Sequence, residues 1–355
     1  MTRPVFVVVS SERSRRTMVT QAALDTLDAA GEVRQLDIVD LERDAALRSI
    51  ESTAADATAL VFAPWRSWGF TGLGPECWDL MPSLRVVSGT FDNRFEDPRL
   101  FGQPLGEVNA RGIAVIDTSR TMTPQVAEFA LLMILNLLRG VPDAVAAVRR
   151  GEFPVHEAWG YEERFVAGDL AGLSVGLAGF GVINRRLAEL LQPFRCRLAA
   201  CDPYLEEQAF ASLGVRRIGA LGELAAASQV FVVGIPPTPA TEGIIDREVI
   251  GSLPRGSLFV LVTRMAVIDQ QALWERTAAG ELRAAVDVFD PEPPPPDAPF
   301  RTDPNVIPTP HLAGNTAQAH RRCFRVACEE AVKVVAGERS PYEMTDRDAA
   351  MYAGR

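Results

Sequence analysis

The most informative segment for the fold is Gly176-Leu-Ala-Gly179-Phe-Gly181-Val-Ile-Asn184. It continues an apolar run typical of a buried strand and opens a segment with helical spacing. Gly179 permits a tight turn, and Gly181 lets backbone N–H groups approach a pyrophosphate at the start of the helix. Asn184 stands where a third glycine is expected, at a position that mainly serves close packing of helix on strand. Because such glycine pairs are common in turns, this stretch alone leaves a dinucleotide site and a plain turn both open.

An acidic residue after the next apolar run favours the dinucleotide site. Asp202 follows the run Arg197–Cys201 and lies about 20 positions beyond Gly181, where a ribose-binding carboxylate is expected. A carboxylate there accepts hydrogen bonds from the ribose hydroxyls and repels a 2′-phosphate, which favours NAD over NADP. The alternative is that Asp202 only begins a turn with Pro203.

Short apolar runs alternate with helical patterns on both sides of this stretch. Those in residues 4–117 and 173–313 are rich in Val, Ile and Leu, as in parallel strands buried on both faces. The alternation predicts two doubly wound α/β domains, the second inserted into the first, with a C-terminal helix returning to the first. Between the two blocks, Thr123–Arg139 is a long apolar helix with Thr123 as its cap, and its all-round apolar surface indicates a domain or subunit interface.

Composition excludes several classes of partner. The 355 residues carry 36 Lys and Arg against 46 Asp and Glu, a net charge of −10, which argues against nucleic acid or an anionic membrane as a partner. No apolar run approaches the length of a membrane span. Five cysteines without a C-x-x-C pair indicate reduced thiols in a cytoplasmic protein, and three histidines make a His-rich metal centre unexpected.

Three polar residues follow later predicted strands. Arg264 follows an apolar run that ends at Thr263, Glu292 follows the run that ends in Asp-Pro, and His311 follows the last run. Ligands gather outside the carboxyl ends of strands in open α/β sheets, so these side chains can converge. Each one alone has an ordinary explanation as a strand cap, a solvated acid or a core imidazole. Their shared position after strands downstream of a nucleotide loop favours a common site.

From about Leu84 to Thr316 the chain resembles the D-isomer-specific 2-hydroxyacid dehydrogenases. The order and spacing of the matching stretches are those of the family, and the resemblance is weaker before Leu84. The matching stretches are Phe91-Asp-Asn93, Thr123-Pro-Gln-Val-Ala-Glu-Phe129, Gly179-Phe-Gly181-Val-Ile183, Asp202-Pro203, Pro236-Pro-Thr-Pro-Ala-Thr241, Thr263-Arg264 with Asp269 and Ala272-Leu273, Asp287-Val-Phe-Asp-Pro-Glu292-Pro293, and Pro310-His311-Leu-Ala-Gly314.

The resemblance implies a Rossmann NAD-binding domain, residues 120–315, inserted into a flavodoxin-like substrate domain, residues 1–119 with 316–355. It implies NAD as cofactor, no metal, a small 2-oxo or 2-hydroxy acid as substrate and a homodimer formed through the NAD-binding domain. Hinges are expected near 118–123 and 313–316. The positions that match cofactor-contacting ones are Thr123, Gly179, Phe180, Gly181, Val182, Ile183, Asp202, Pro236, Thr241, Val262, Thr263, Asp287 and Gly314.

The resemblance also implies catalytic roles. His311 is the expected general acid and base, because imidazole titrates near neutral pH. Glu292 is expected to hold the other ring nitrogen, and Arg264 to bind the substrate carboxylate and polarise the 2-oxo group. The backbone amides of Gly89 and Thr90 match the carboxylate-binding turn, and Asp287 matches the position that bonds the nicotinamide amide.

The substrate loop is expected in Pro64-Trp-Arg66-Ser67-Trp-Gly-Phe70, where Arg66 and Ser67 are the predicted contacts. The equally open alternative is that these aromatics only pack between domains. Besides Asn184, the chain departs from the family pattern at Met265, at Gly234, at Arg120 and Thr121, and in a long stretch over 154–169. Glu292 also separates the chain from formate dehydrogenases, which support the His with Gln. The predicted function is hydride transfer between NAD(H) and a 2-oxo or D-2-hydroxy acid, in the reductive direction. A dinucleotide-sensing, corepressor-like protein on the same fold is the alternative.

Overall fold

The computed structural model describes residues 3–38, 41–63, 76–91, 105–152 and 168–345, together with Asp348. The chain divides into two compact units, residues 1–122 with 315–355 and residues 123–314. The chain passes from the first unit to the second after Met122 rather than after Ser119. The reason is that the 3-10 turn Thr118–Met122 is bonded to the C-terminal helix of the first unit. Thr121 Oγ1 lies 2.9 Å from Cys323 Sγ, and Arg322 Nε donates to the Thr121 carbonyl at 2.9 Å.

The first unit contains a parallel sheet of five strands in the order β2-β1-β3-β4-β5. This is the flavodoxin-like strand order. The strands are β1 Val5–Val9, β2 Glu32–Leu36, β3 Ala59–Phe62, β4 Val86–Gly89 and β5 Ala114–Asp117. The helices are α1 Glu12–Met18, α2 Gln21–Ala30, α3 Arg43–Ala54, α4 Glu76–Asp79 and α5 Leu105–Ala110.

The second unit contains a parallel sheet of seven strands in the order β12-β11-β10-β9-β6-β7-β8, which extends the Rossmann order by one strand. The strands are β6 Ser174–Ala178, β7 Arg197–Cys201, β8 Arg216–Arg217, β9 Val230–Val233, β10 Ser257–Leu261, β11 Leu282–Val286 and β12 Val306–Pro308. The helices are α6 Thr123–Arg139, α7 Val141–Arg149, α8 Val182–Leu191, α9 Glu207–Ala211, α10 Leu221–Ala226, α11 Arg247–Ser252 and α12 Gln270–Ala278. The α/β class and the two parallel sheets are as predicted.

The last helix, α13 Ala317–Val335, returns to the first unit. Its apolar face covers one side of the first sheet, where Phe324 and Ala327 share a core cluster with Phe6 and Val61. Ser88 Oγ also donates to the Ala327 carbonyl at 2.9 Å. The near-continuous Val, Ile and Leu of β1, β3 and β4 are explained by helices on both faces of this sheet.

The segment Thr118–Arg139 is long and apolar enough to cross a membrane by length and composition alone, and half of its most apolar window is buried. The α-helical part begins directly from the 3-10 turn, so Thr123 is its first residue rather than an isolated cap. Within the second unit, α6 packs against α8, β10 and β11. We interpret it as a core helix of that unit.

Candidate active site

The predicted polar residues of the second unit lie at one edge of its sheet. All seven strands run parallel, so their carboxyl ends share that edge. Backbone bonds continue past the strands and tie neighbouring ends together: Gly179 N donates to the Cys201 carbonyl and Gly234 N to the Ala178 carbonyl, each at 2.8 Å. The edge is therefore a connected surface of turns rather than a set of separate loops.

The glycine loop has the geometry that the sequence predicts. Gly179 adopts φ +77°, and a Cβ there would lie 3.0 Å from both the Gly234 carbonyl carbon and Ile235 Cγ1. At Gly181 a Cβ would face open space. Helix α8 begins after Gly181 without a side-chain cap, so its first turn, with Val182 and Ile183, presents backbone N–H groups that suit a pyrophosphate.

Asp202 lies directly beside this loop. Its Oδ2 accepts from the Phe180 backbone N–H at 2.9 Å and its Oδ1 from Tyr204 N–H at 3.0 Å. The carboxylate therefore fixes the glycine loop and also stands at the end of β7, where a ribose is expected. Loop, helix start and carboxylate together fit a dinucleotide.

Most of the other predicted cofactor positions surround the same edge. Val262 and Thr263 are buried at the end of β10, and Thr263 Oγ1 donates to the Val233 carbonyl at 3.2 Å. Thr241 Oγ1 donates to the Pro236 carbonyl at 2.6 Å and accepts from Thr238 N–H at 2.8 Å, so this hydroxyl shapes the loop after β9.

Thr123 and Gly314 are the first and last residues of the second unit. Gln125 Nε2, two residues after Thr123, donates to the Gly314 carbonyl at 3.4 Å. The two ends of the inserted unit therefore meet within it.

Glu292 and His311 come together although 18 residues of proline-rich chain separate them. His311 Nδ1 lies 2.7 Å from Glu292 Oε1, and the side chains are 26% and 41% exposed, so solvent or a ligand reaches the pair. A carboxylate on Nδ1 fixes the imidazole tautomer and stabilises the protonated ring.

The backbone of His311 adopts a strained conformation. Its φ of +54° lies in the left-handed region, which costs a non-glycine residue about 1 kcal/mol or more. Its N–H donates to the Asp287 carbonyl at 2.9 Å and to the Thr309 carbonyl at 3.0 Å. A conformation of this kind persists only where surrounding bonds determine it.

Asp287 supplies those surrounding bonds. Its side chain is 1% exposed, and Oδ1 accepts from Thr309 Oγ1 at 2.6 Å and from Leu312 N–H at 2.8 Å, while Oδ2 accepts from Ala313 N–H at 2.8 Å. Burial raises the pKa of Asp287, and its hydrogen-bond donors offset part of that rise. The resemblance to the family implies a nicotinamide contact for Asp287, which stays a prediction. Its role in shaping the His311 turn was not foreseen.

Arg264 follows β10 in extended conformation. Its Nη1 donates to the Thr263 carbonyl at 2.6 Å. Burial lowers the pKa of its guanidinium, and the negative charge of Glu292 opposes that shift. Since arginine stays charged in proteins, the site combines a cation with a carboxylate–imidazole pair.

The predicted carboxylate-binding turn belongs to the first unit. A Cβ on Gly89 would lie 2.8 Å from Phe62 Cβ, so the chain needs glycine there for close packing. Thr90 is buried, and its Oγ1 lies 3.1 Å from Thr118 Oγ1. Asp117 Oδ1 accepts from Phe91 N–H at 3.1 Å and so holds the end of the turn. The predicted substrate contacts Arg66 and Ser67 lie outside the described residues.

Residues 131–313 match the family model described as D-isomer specific 2-hydroxyacid dehydrogenase, NAD binding domain. That range is more than half of the chain and contains the glycine loop, Asp202 and the Arg264, Glu292 and His311 set. The matched domain takes NAD as its cofactor, in agreement with the geometry of the loop.

Named relatives extend the comparison. D-3-phosphoglycerate dehydrogenase of Methanocaldococcus jannaschii is 32% identical over 229 residues, which are 64% of this chain but 42% of that protein. Formate dehydrogenase, chloroplastic/mitochondrial, of Arabidopsis thaliana is 33% identical over 219 residues, 60% of this chain and 55% of that protein. The chain thus spans only about half the length of these relatives. The crystal structure of a phosphoglycerate oxidoreductase from Rhizobium etli superposes with a TM-score of 0.75 at 26% identity, over 96% of this chain and 98% of that one.

Proposed function

The chain belongs to the D-isomer-specific 2-hydroxyacid dehydrogenase family, and on this premise we propose that it is an NAD-dependent oxidoreductase acting on a 2-oxo acid or D-2-hydroxy acid. The observation that carries the proposal is the 2.7 Å contact between His311 Nδ1 and Glu292 Oε1, at the same sheet edge as the glycine loop and Asp202. An acid–base pair beside a dinucleotide site supplies what hydride transfer to a carbonyl requires.

NAD, when bound, supplies or accepts the hydride at C4 of its nicotinamide ring. In the reductive direction, which we propose as the physiological one, the 2-oxo carbonyl carbon receives that hydride and its oxygen gains negative charge. Protonated His311 donates a proton from Nε2 to this oxygen and the 2-hydroxy acid is complete. Glu292 keeps Nδ1 occupied, so proton transfer is confined to the other ring nitrogen.

The guanidinium of Arg264 has two tasks in this proposal. Its planar donors match the substrate carboxylate, and its charge stabilises the oxygen as the hydride arrives. Partial burial strengthens both effects, because a charge acts over a longer range in a medium of low dielectric constant. Backbone amides of Gly89 and Thr90 are the proposed further donors to the carboxylate.

The substrate is the finer part of the proposal. Relatives with phosphoglycerate in their names suggest testing phosphorylated 2-oxo acids beside glyoxylate, hydroxypyruvate and pyruvate. We assign selectivity to Arg66 and Ser67, and propose that Arg66 meets a second anionic or polar group. Arg66→Ala is expected to change the ranking of these acids; an unchanged ranking would leave the loop a packing role only.

The decisive experiment is a spectrophotometric assay. Each 2-oxo acid is mixed with NADH or NADPH and the loss of absorbance at about 340 nm is followed, with Glu292→Gln and His311→Ala as comparison variants. We expect turnover of at least one acid with NADH and a preference for NADH over NADPH. NADH binding without turnover of any acid would contradict the proposal and favour a dinucleotide-sensing protein.

We propose a homodimer formed through the second unit. Helix α7 exposes an apolar stripe, Val141, Val145 and Val148, which are 43%, 42% and 53% exposed, and Leu132 on α6 is 48% exposed. Apolar stripes of this kind mark protein interfaces. Val145→Asp should convert the dimer to a monomer in analytical ultracentrifugation, with Leu41→Asp in the first unit as the control, since Leu41 is 42% exposed.

A cytoplasmic location remains part of the proposal. All five cysteines are unpaired, and burial raises the pKa of Cys77 to about 12, so its thiol stays protonated at neutral pH. Subcellular fractionation of the native host tests this location.

A further inference from the structure

Two departures from the family pattern, Asn184 and Gly234, touch each other in the structure. Asn184 occupies the third glycine position of the cofactor loop, on the first turn of α8. Gly234 follows β9 on the neighbouring strand. A Cβ on Gly234 would lie 2.7 Å from Asn184 Cγ and 3.0 Å from its Oδ1, so the space of a side chain at 234 is filled by the amide of 184.

Asn184 reaches back from the helix to the strand that precedes the loop. Its Nδ2 donates to the Gly179 carbonyl at 2.7 Å and to the Ala178 carbonyl at 3.3 Å. The residue is 1% exposed, and its Oδ1 has no hydrogen-bond partner among the described residues. The amide therefore holds the carbonyl of the one loop residue whose φ is +77°.

The same place joins the two cofactor-facing segments. Gly234 N donates to the Ala178 carbonyl at 2.8 Å, and a Cβ on Gly179 would lie 3.0 Å from the Gly234 carbonyl carbon. The backbones of Gly179 and Gly234 are thus in close contact, and the Asn184 amide packs beside them. Asn184 therefore contacts both the glycine loop and the residue that precedes the Ile235–Pro236 segment.

We propose that Asn184 is a positioning residue for the cofactor and that it requires glycine at 234. In this arrangement the amide sets the spacing between the pyrophosphate-facing loop and the segment after β9. The two departures are then a single coupled change. The proposal rests on one part of the proposed function, the binding of NAD, and does not depend on which acid is reduced.

The test is a double-mutant cycle on the full chain. Gly234→Ala, Asn184→Gly and the double variant are compared with unmodified protein by NADH fluorescence titration and by thermal unfolding. Gly251→Ala is the matched control, because a Cβ on Gly251 meets nothing within 4 Å.

Gly234→Ala should weaken NADH binding by about tenfold or more, since overpacking of a filled site forces the amide aside. Asn184→Gly should weaken it by about threefold. In the Asn184→Gly background, Gly234→Ala should add less than about a twofold loss, because the obstacle has been removed. The Gly251→Ala control should bind NADH as the unmodified chain does.

A positioning role and a merely structural one differ in which ligands are affected. Gly234→Ala should weaken the binding of ADP-ribose, which carries the pyrophosphate, as much as the binding of NADH. The affinity for AMP should fall by less than about threefold. At saturating NADH, kcat should stay within about threefold of normal, so the defect lies in KM for NADH. A fall in the unfolding midpoint with unchanged affinity for all three ligands would show a structural role and overturn the proposal.

Equal loss from Gly234→Ala in both backgrounds would also overturn it, since the two residues would then act independently. These readouts need no turnover. A chain that binds NADH but reduces no 2-oxo acid therefore fails the proposed function while the coupling remains measurable.

Discussion

The carboxyl edges of the two sheets each contain a buried aspartate that holds one functional turn. Asp117 ends β5 in the first unit and accepts from Phe91 N–H, beyond the Gly89–Thr90 turn. Asp287 follows β11 in the second unit and accepts from the N–H groups of Leu312 and Ala313, beyond His311. Both carboxylates thus accept hydrogen bonds from the turn that follows a neighbouring strand.

The two aspartates differ in the donors that they meet. Asp117 Oδ1 accepts from two backbone N–H groups, those of Phe91 and Ser119, and Oδ2 accepts from the Ser119 hydroxyl, a group that can also act as an acceptor. Asp287 meets a backbone N–H on each oxygen, and the Thr309 hydroxyl as well. An asparagine amide suits these partners of Asp117, because its NH₂ can donate to the Ser119 hydroxyl. It does not suit those of Asp287, because its NH₂ would face a backbone N–H in either orientation. The edge that carries His311 is therefore the less tolerant one.

The largest effect is expected from removing the imidazole that the Asp287-bonded turn presents. His311→Ala should lower kcat by roughly 10²- to 10⁴-fold, the range for a lost general acid or base. The dissociation constant for NADH should stay within about threefold of that of the unmodified protein, because His311 is not part of the glycine loop. Steady-state kinetics and fluorescence titration measure the two. Near-normal turnover would remove His311 from the mechanism.

Asp287→Asn should have the next largest effect. The Asn NH₂ would face a backbone N–H, so the free energy of unfolding should fall by about 1–3 kcal/mol. The His311 turn loses its support, and kcat should fall by about tenfold or more through misplacement of the imidazole. Urea unfolding and kinetics report both, with Thr309→Val as a milder comparison. An unchanged kcat would mean that the His311 turn holds itself.

Asp202→Ala extends the comparison to a carboxylate that is only partly buried. It should relax the preference for NADH over NADPH by about tenfold, since the acid that repels a 2′-phosphate is gone. The ratio of kcat/KM for the two cofactors measures this. If use of NADPH does not rise, Asp202 serves the glycine loop alone, through Phe180.

Asp117→Asn should have the smallest effect, and it sharpens the contrast with Asp287. Its amide can keep the Phe91 and Ser119 N–H groups on Oδ1 and donate to the Ser119 hydroxyl. We expect the thermal midpoint to stay within about 2 °C and substrate KM within about twofold. Asp117→Ala, which loses all of these bonds, is the comparison. If Asp117→Asn destabilises the protein as much as Asp287→Asn does, the two aspartates tolerate an amide equally poorly.

Local chemistry explains what the sequence could predict. Apolar runs bounded by turns predicted all strands but β8, which has two exposed arginines and no apolar signal. The glycine loop follows from the steric freedom of Gly179. Helix α1 escaped prediction because Glu12–Met18 lacks apolar periodicity; Ser11 caps it by accepting from Ser14 N–H.

Contacts between distant elements explain what the sequence could not predict. Nothing local links Asn184 to Gly234, because their contact depends on how α8 and β9 lie in the sheet. The resemblance implies a nicotinamide contact for Asp287, but it gives no sign that the same carboxylate accepts from Thr309, Leu312 and Ala313 in the next turn. The Glu292–His311 pair came from resemblance, since the spacing of the two residues predicts no contact.

The insertion of one unit into the other has a consequence for biosynthesis. Phe6, Val8, Ala59 and Val61 lie on the sheet face that α13 covers, yet α13 is translated only after the whole of residues 123–314. A nascent chain therefore has α2 on this apolar face, through Ala23 and Leu27, but lacks the cover that α13 provides while the inserted unit emerges from the ribosome. Chaperone capture should concentrate in that interval, and the N-terminal half should reach its final protease resistance only after the last helix leaves the exit tunnel.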